Sequence, residues 1–178
     1  MKVRTGFCIS VSMLLAVATF PARAAENAAK TDKAVSTADT AFVAMVSQGG
    51  MFEVEASKVA KDKAAQQDVI DTSFTEVHDH ELVGAKLKSI AGSINLPFPT
   101  ELNAEFKGRL DALKALSGKA FDDAYIKEME VIHKADGAAF AKEAKAGQDT
   151  DLKAFAAETV LIVKRHIGSL HAVPLPTT

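Results

Sequence analysis

The chain has 178 residues, 48% hydrophobic and 25% charged, with a formal net charge of −2, one cysteine and no tryptophan. Those proportions belong to a globular domain; they exclude a disordered chain, a disulfide-stapled mini-protein and a strongly basic nucleic-acid binder.

Lys2 and Arg4 open the chain, Gly6 to Phe20 carry no charge, and Ala22-Arg23-Ala24 offers the small-x-small pattern of a signal peptidase site. Residues 1–24 are therefore expected to be a cleaved export signal. The uncharged run is too short for a membrane span, and no later stretch is apolar for long enough. Without this segment the chain loses Cys8 and three positive charges, and its net charge becomes −5. The mature chain then holds no thiol for nucleophilic, metal or redox chemistry. A periplasmic or secreted location is expected, with attachment to the outer membrane left open.

Residues 25–38 read as a low-complexity linker, 39–173 as the folded domain and 174–178 as a tail. Apolar residues recur at helical spacing throughout the domain, and no alternating stretch suggests a strand. A first helix is expected from Asp39 to Ala64, interrupted at Gly49-Gly50, and a second from Gln67 to Ala91. After Pro97 and Pro99 a shorter helix covers Glu101 to Leu116. A third long helix runs from Lys119 to Ala146 and a fourth from Asp149 to His171, with Gly147 as the residue past a helix end and Asp149 or Thr150 as the next cap. Two hairpins joined by one long crossover form an all-α, ferritin-like four-helix bundle.

At 100° per residue, each long helix turns an ionisable residue into its apolar stripe. Glu53 lies among Phe42, Val46, Ala56 and Ala60. His80 lies among Val69, Ser73 and Leu87, with Glu76 one turn earlier. His133 falls between Met129 and Phe140, with Glu130 at the stripe's edge, and His166 lies near Phe155, Val163 and Leu170. Buried carboxylates and imidazoles cost several kcal/mol unless paired or metal-bound, so these groups are expected to meet. Counting from the turns at 1.5 Å per residue sets Glu53 and His80 about 4–5 Å apart in height, and His133 and His166 roughly 7–8 Å apart.

Glu53, Glu76, His80, Glu130, His133 and His166 are the candidate metal ligands, a nitrogen–oxygen set suited to iron, copper or zinc. Di-iron bundles use two Glu-x-x-His motifs. Here only Glu130-Val131-Ile132-His133 matches, so di-metal oxidase or peroxidase chemistry is the weaker alternative and no catalytic residue is assigned. Tyr125 could bond to the polar layer, and Asp79 and Glu158 could orient histidines. The competing account makes the buried polar groups a structural layer that fixes helix packing in a non-enzymatic envelope protein with a protein partner. Lysines interspersed with acidic residues argue against nucleic acid as a partner.

Gly49-Gly-Met-Phe-Glu-Val-Glu55, Asp79-His80, Leu116-Ser-Gly-Lys-Ala-Phe-Asp-Asp-Ala-Tyr125, His133 and Lys153-Ala-Phe-Ala-Ala-Glu-Thr159 leading to His166 resemble an exported bacterial family. Its members are usually called membrane or outer-membrane proteins and carry a ferritin-like domain of unknown function. The resemblance spans Asp39 to Val173 and implies a helical bundle in the bacterial envelope, with no established activity. It also implies polar marks at Glu53, Asp79, His80, His133 and His166. Where the family pattern carries a proline after the threonine, this chain has Val160-Leu161.

Overall fold

The computed structural model describes residues 35–172. The expected export signal, most of the expected linker and the expected tail lie outside them. The described residues form five helices and no strand: α1 (Thr37–Lys63), α2 (Gln67–Ser93), α3 (Ala104–Lys114), α4 (Lys119–Ala146) and α5 (Thr150–Ala172). Helix α1 starts two residues before the expected Asp39 because Ser36 and Asp39 form a capping box. The Ser36 hydroxyl accepts from Asp39 N at 3.0 Å, and the Asp39 carboxylate accepts from Ser36 N at 3.3 Å.

The expected break at Gly49-Gly50 does not occur, since α1 is continuous through both. Gly49 instead marks the close approach of α4: a Cβ there would stand 2.4 Å from Asp136 Oδ2. Gly147 is not left-handed either (φ −56°). A side chain at Gly147 is opposed by the Glu143 carbonyl oxygen, which would lie 2.7 Å from the added Cβ. The α5 cap is Asp149, whose Oδ1 accepts from the amides of Asp151 and Leu152, each at 2.9 Å.

Helix α3 is shorter than expected because Asn103 caps it through a 2.9 Å bond from Phe106 N. The preceding crossover is fastened to the middle of α1 by Gln48. Its Nε2 donates to Glu101 O at 3.0 Å, and its Oε1 accepts from Asn103 N at 2.8 Å. After α3 the chain turns at Gly118, whose φ of 60° and ψ of −146° form a conformation suited to glycine.

Helices α1 and α2 form one hairpin, α4 and α5 the other, with α1 against α4, α2 against α5, and α3 resting mainly on α1. Each hairpin grips the turn of the other through a fully buried aspartate. Asp39 accepts from Gln148 N (3.0 Å) and Asp149 N (3.2 Å). Asp122 accepts from Ala65 N at 3.0 Å and Gln66 N at 3.0 Å. These aspartates stand 83 positions apart, and the same shift carries Phe42 onto Tyr125, Val46 onto Met129, Glu53 onto Asp136, Val69 onto Leu152 and Leu87 onto Leu170. The two hairpins are thus variations on one buried pattern.

The apolar interior has two clusters. One gathers Phe52, Val69, Leu110, Phe121, Tyr125, Met129 and Leu170; the other gathers Phe42, Val46, Leu87, Phe140, Phe155 and Val163. The polar stripe residues fall where these clusters meet, near the middle of α1, α2 and α4 and in the C-terminal half of α5.

Replacing Asp122 by alanine removes the acceptor of two turn amides, and we expect a loss of about 1–3 kcal/mol in urea unfolding. A change below about 0.5 kcal/mol would contradict the clasp, since surface substitutions without a specific role fall within that range. Glu143 makes a pH-dependent contribution of the opposite kind. Burial pushes its carboxyl up to about 7 from an ordinary 4.5, reinforced by the Asp39 charge. The folded state therefore keeps a proton that the unfolded chain has lost, and this stability, complete below about pH 4.5, disappears as pH rises through 7. Glu143→Gln should accordingly melt higher than the parent at pH 8 and alike at pH 4; an unchanged difference between the two pH values would refute the assignment.

Candidate metal centre

The centre is built from α1, α2, α4 and α5. Glu53, Glu76 and His133 have no exposed surface, while His166 and His80 retain 1% and 4%. Three imidazoles converge on one carboxylate oxygen. Glu76 Oε2 lies 3.2 Å from His80 Nε2, 3.3 Å from His133 Nε2 and 3.0 Å from His166 Nδ1. The four residues can each direct one ligand atom into a space where all four atoms lie within 4.8 Å of one another.

The second nitrogen of each ring is held from outside. His133 Nδ1 donates to the Met129 carbonyl at 2.8 Å. His166 Nε2 donates to Asp79 Oδ2 at 2.8 Å, and the same carboxylate oxygen also receives Arg165. His80 Nδ1 faces Glu53 Oε2 at 3.1 Å. A carbonyl and an ionised carboxylate can only accept, so the outward nitrogens of His133 and His166 carry hydrogens and the inward ones are left to accept a proton or a cation. Those inward nitrogens stand only 3.1 Å apart.

Electrostatics match this arrangement. Burial raises the Glu76 carboxyl, but the facing imidazoles of His133, His166 and His80 outweigh it and hold the group far below the ordinary carboxylate range. Burial lowers His133, yet Glu76 and Glu53 lift it to about 9; the same carboxylates raise His80 against its own burial. Asp79 is likewise held low: burial opposes ionisation, and His166 and Arg165 prevail. None of the four oxygens of Glu53 and Glu76 has a hydrogen-bond donor in good geometry, although ring nitrogens lie at ion-pair distance. A multivalent cation would satisfy such a group of acceptors.

Of the six candidate ligands, the fold brings Glu53, Glu76, His80, His133 and His166 together. Glu53 approaches from the side, with Oε1 3.5 Å from His133 Nε2, and stands outside the four-atom group. Glu130 does not join: it is exposed, because the buried arc of α4 runs from Ile126 through His133 and Asp136 to Ile132 and Glu130 lies beyond its edge. The height mismatch expected for His166 is closed by side-chain direction. Helical side chains lean toward their own N-terminus, so His133 leans away from the α4–α5 turn and His166 toward it.

Asp79 orients a histidine as expected. Glu158 does not, being exposed and paired with Lys86 at 2.5 Å. Tyr125 bonds to Ser57 at 2.7 Å and not to the polar layer. Asp136 is a buried member that sequence reasoning missed, although it sits one turn beyond His133 on the same face. Burial and the Glu53 charge push its carboxyl up to about 8.

Comparison with known proteins gives a family without a function. A model described as a domain of unknown function, DUF4142, matches residues 24–173. The structure is similar to that of a DUF305 fragment from Deinococcus radiodurans, with a TM-score of 0.68 at 12% identity over 78% of this chain and 96% of that one. It is also similar to a DUF305 protein from Streptomyces coelicolor described as secreted, with a TM-score of 0.64 at 16% identity over 76% and 91% of the two chains. At such identities the likeness concerns the fold alone. No curated protein matches the sequence.

Glu76 anchors three imidazoles, so removing its charge leaves buried cations unpaired. Glu76→Leu, in protein held in chelator, should cost about 3–5 kcal/mol in chemical unfolding. A loss under about 1 kcal/mol, the range of an exposed ion pair, would contradict the geometry described.

Proposed function

The chain belongs to the DUF4142 family, and from that premise we propose that it is an exported, ferritin-like helical bundle that sequesters one first-row transition-metal dication. Glu76 Oε2, His80 Nε2, His133 Nε2 and His166 Nδ1 would be the ligands. The observation that carries this proposal is the convergence of three imidazole nitrogens on a buried carboxylate, each ring held at its other nitrogen by a separate group. Three nitrogens and one carboxylate oxygen suit zinc, cupric copper or ferrous iron better than calcium or magnesium. When bound, such a cation supplies Lewis acidity and, if iron or copper, access to a second oxidation state.

Among the described residues one buried four-ligand group is found, which favours holding one ion over bulk storage or di-metal turnover. The four long helices, two hairpins and a crossover containing α3, support the ferritin-like arrangement. Export rests on the pattern of residues 1–24, and a structural relative described as secreted agrees with it. A periplasmic position would expose the centre to whatever metal the envelope offers. The alternative role, a purely structural polar layer in an envelope scaffold, draws on the same Glu76–histidine ion pairs, which satisfy one another when the rings are protonated.

Titration calorimetry with zinc and copper separates the two. We expect one ion per chain, a melting temperature that rises with metal, and loss of binding in His133→Ala. Asp79→Asn, which spares every ligand but loosens His166, should weaken affinity about 10–100-fold. Binding should also weaken as pH falls, because the ion displaces protons from the rings. Substoichiometric binding with an unchanged melting temperature would favour the structural layer.

A further inference from the structure

Beside the centre, between α1, α2 and the crossover, lies a pocket of about 410 Å3. It opens on the Glu53 side of the polar layer, and its floor is formed by Glu53, His80 and Asp136. Val83, Leu87, Phe98 and Phe140 supply apolar walls. The pocket has a structural cause. A shift of 83 positions carries Gly50 onto His133 and Val83 onto His166, so one hairpin places two imidazole rings where the other has a glycine and a valine. Gly84 enlarges the gap, for a Cβ added there would meet no atom within 4 Å. Glycines inside a helix cost about 1 kcal/mol each relative to alanine, yet α1 and α2 each carry one in the pocket lining, Gly50 and Gly84.

The floor is chemically incomplete. Glu53 is fully buried; His80 Nδ1 and His133 Nε2 stand 3.1 and 3.5 Å from its oxygens, and neither oxygen has a hydrogen-bond donor in good geometry. Asp136, 4% exposed, places a second carboxyl group there. The exposed lining residues are charged but paired: Glu55 and Glu81 lie 3.5 and 3.1 Å from Lys58, and Glu101 lies 2.9 Å from Lys107, with Lys88 beside them. A buried carboxylate without well-placed donors at the bottom and apolar walls above select a ligand whose one polar end donates hydrogen bonds and carries positive charge.

We propose that this pocket binds a small organic cation, a protonated amine on an apolar body, with its ammonium on Glu53 and Asp136 and its body against Val83, Leu87, Phe98 and Phe140. Such a molecule gives Glu53 the donors it lacks and covers apolar surface otherwise facing water. The site is separate from the four metal ligands' convergence point except that His80 borders both, and amine binding does not require metal.

The test uses the whole mature chain in chelator, with 2-phenylethylamine as probe and 2-phenylethanol as its uncharged analogue of nearly the same shape. Calorimetry should show one amine site, with the amine binding at least tenfold tighter than the alcohol. Amide shifts in nuclear magnetic resonance should move for Gly50, Val83 and Gly84. Gly84→Leu, which starts from a Cβ position in open space and replaces a helix glycine, should keep or raise the melting temperature while abolishing binding. Glu53→Gln should erase the preference for the amine. Equal affinity for amine and alcohol, no amine binding at millimolar concentration, or undiminished binding in Gly84→Leu would each overturn the proposal. Because Gly84→Leu leaves the polar layer intact, it decides the matter even where Glu53→Gln is unstable, and repeating the zinc titration on it tells failure of the pocket from failure of the metal centre.

Discussion

The structure turns on one oxygen atom. Glu76 Oε2 receives three imidazole nitrogens from three helices, and each of those rings is tied by its other nitrogen to a group the fold must also position. A carboxylate without exposed surface is tolerable only because those nitrogens face it, and three crowded imidazoles are tolerable only because the carboxylate does. That mutual dependence sets the heights of α2, α4 and α5 relative to one another and parts the apolar interior into two clusters. Loss of the central charge would therefore be felt along most of the bundle's length. The same features that make the group costly in apolar surroundings prepare it for a cation: deprotonated oxygen, inward nitrogens, fixed ring orientations.

Much of the fold is legible in the residue pattern because periodicity, caps and turn glycines are local. The long helices end within a few residues of where the apolar stripes stop, and Glu53, His80, His133 and His166 face inward as a 100° step requires. What fails depends on contacts between elements. Gly49 looks like a break in α1 until Asp136 is seen lying against it, and Glu130 looks like a ligand until the buried arc of α4 is fixed by its neighbours. His166 illustrates a subtler limit. Counting rise per residue from the turn gives backbone height, whereas the ring nitrogen belongs to a side chain that leans back along its helix. Asp39 and Asp122 escape notice as single acidic residues near helix starts, where an ordinary capping role would account for them.

The two aspartates also reveal the relation between the halves. Between hairpins that share a buried pattern, the polar residues are distributed unevenly: Glu53 and Asp136 correspond, but Glu76 faces Thr159 in the comparison, His80 faces Val163, and His133 and His166 correspond to Gly50 and Val83. One half supplies two rings, and the other supplies the carboxylate, a third ring and an opening. The uneven distribution explains why, among the described residues, one four-ligand group forms where a symmetric bundle would have two, and why an apolar pocket adjoins it.

The central claim is that three rings point specific nitrogens at one ion beside Glu76. Long-range proton–nitrogen spectra of the imidazoles, recorded before and after one equivalent of zinc, test it most directly. The account predicts that zinc shifts Nε2 of His80 and His133 but Nδ1 of His166, with hydrogens retained on the opposite nitrogens, while exposed His78 and His171 do not change. Zinc-induced shifts confined to His78 or His171, or coordination of His166 through Nε2, would contradict it.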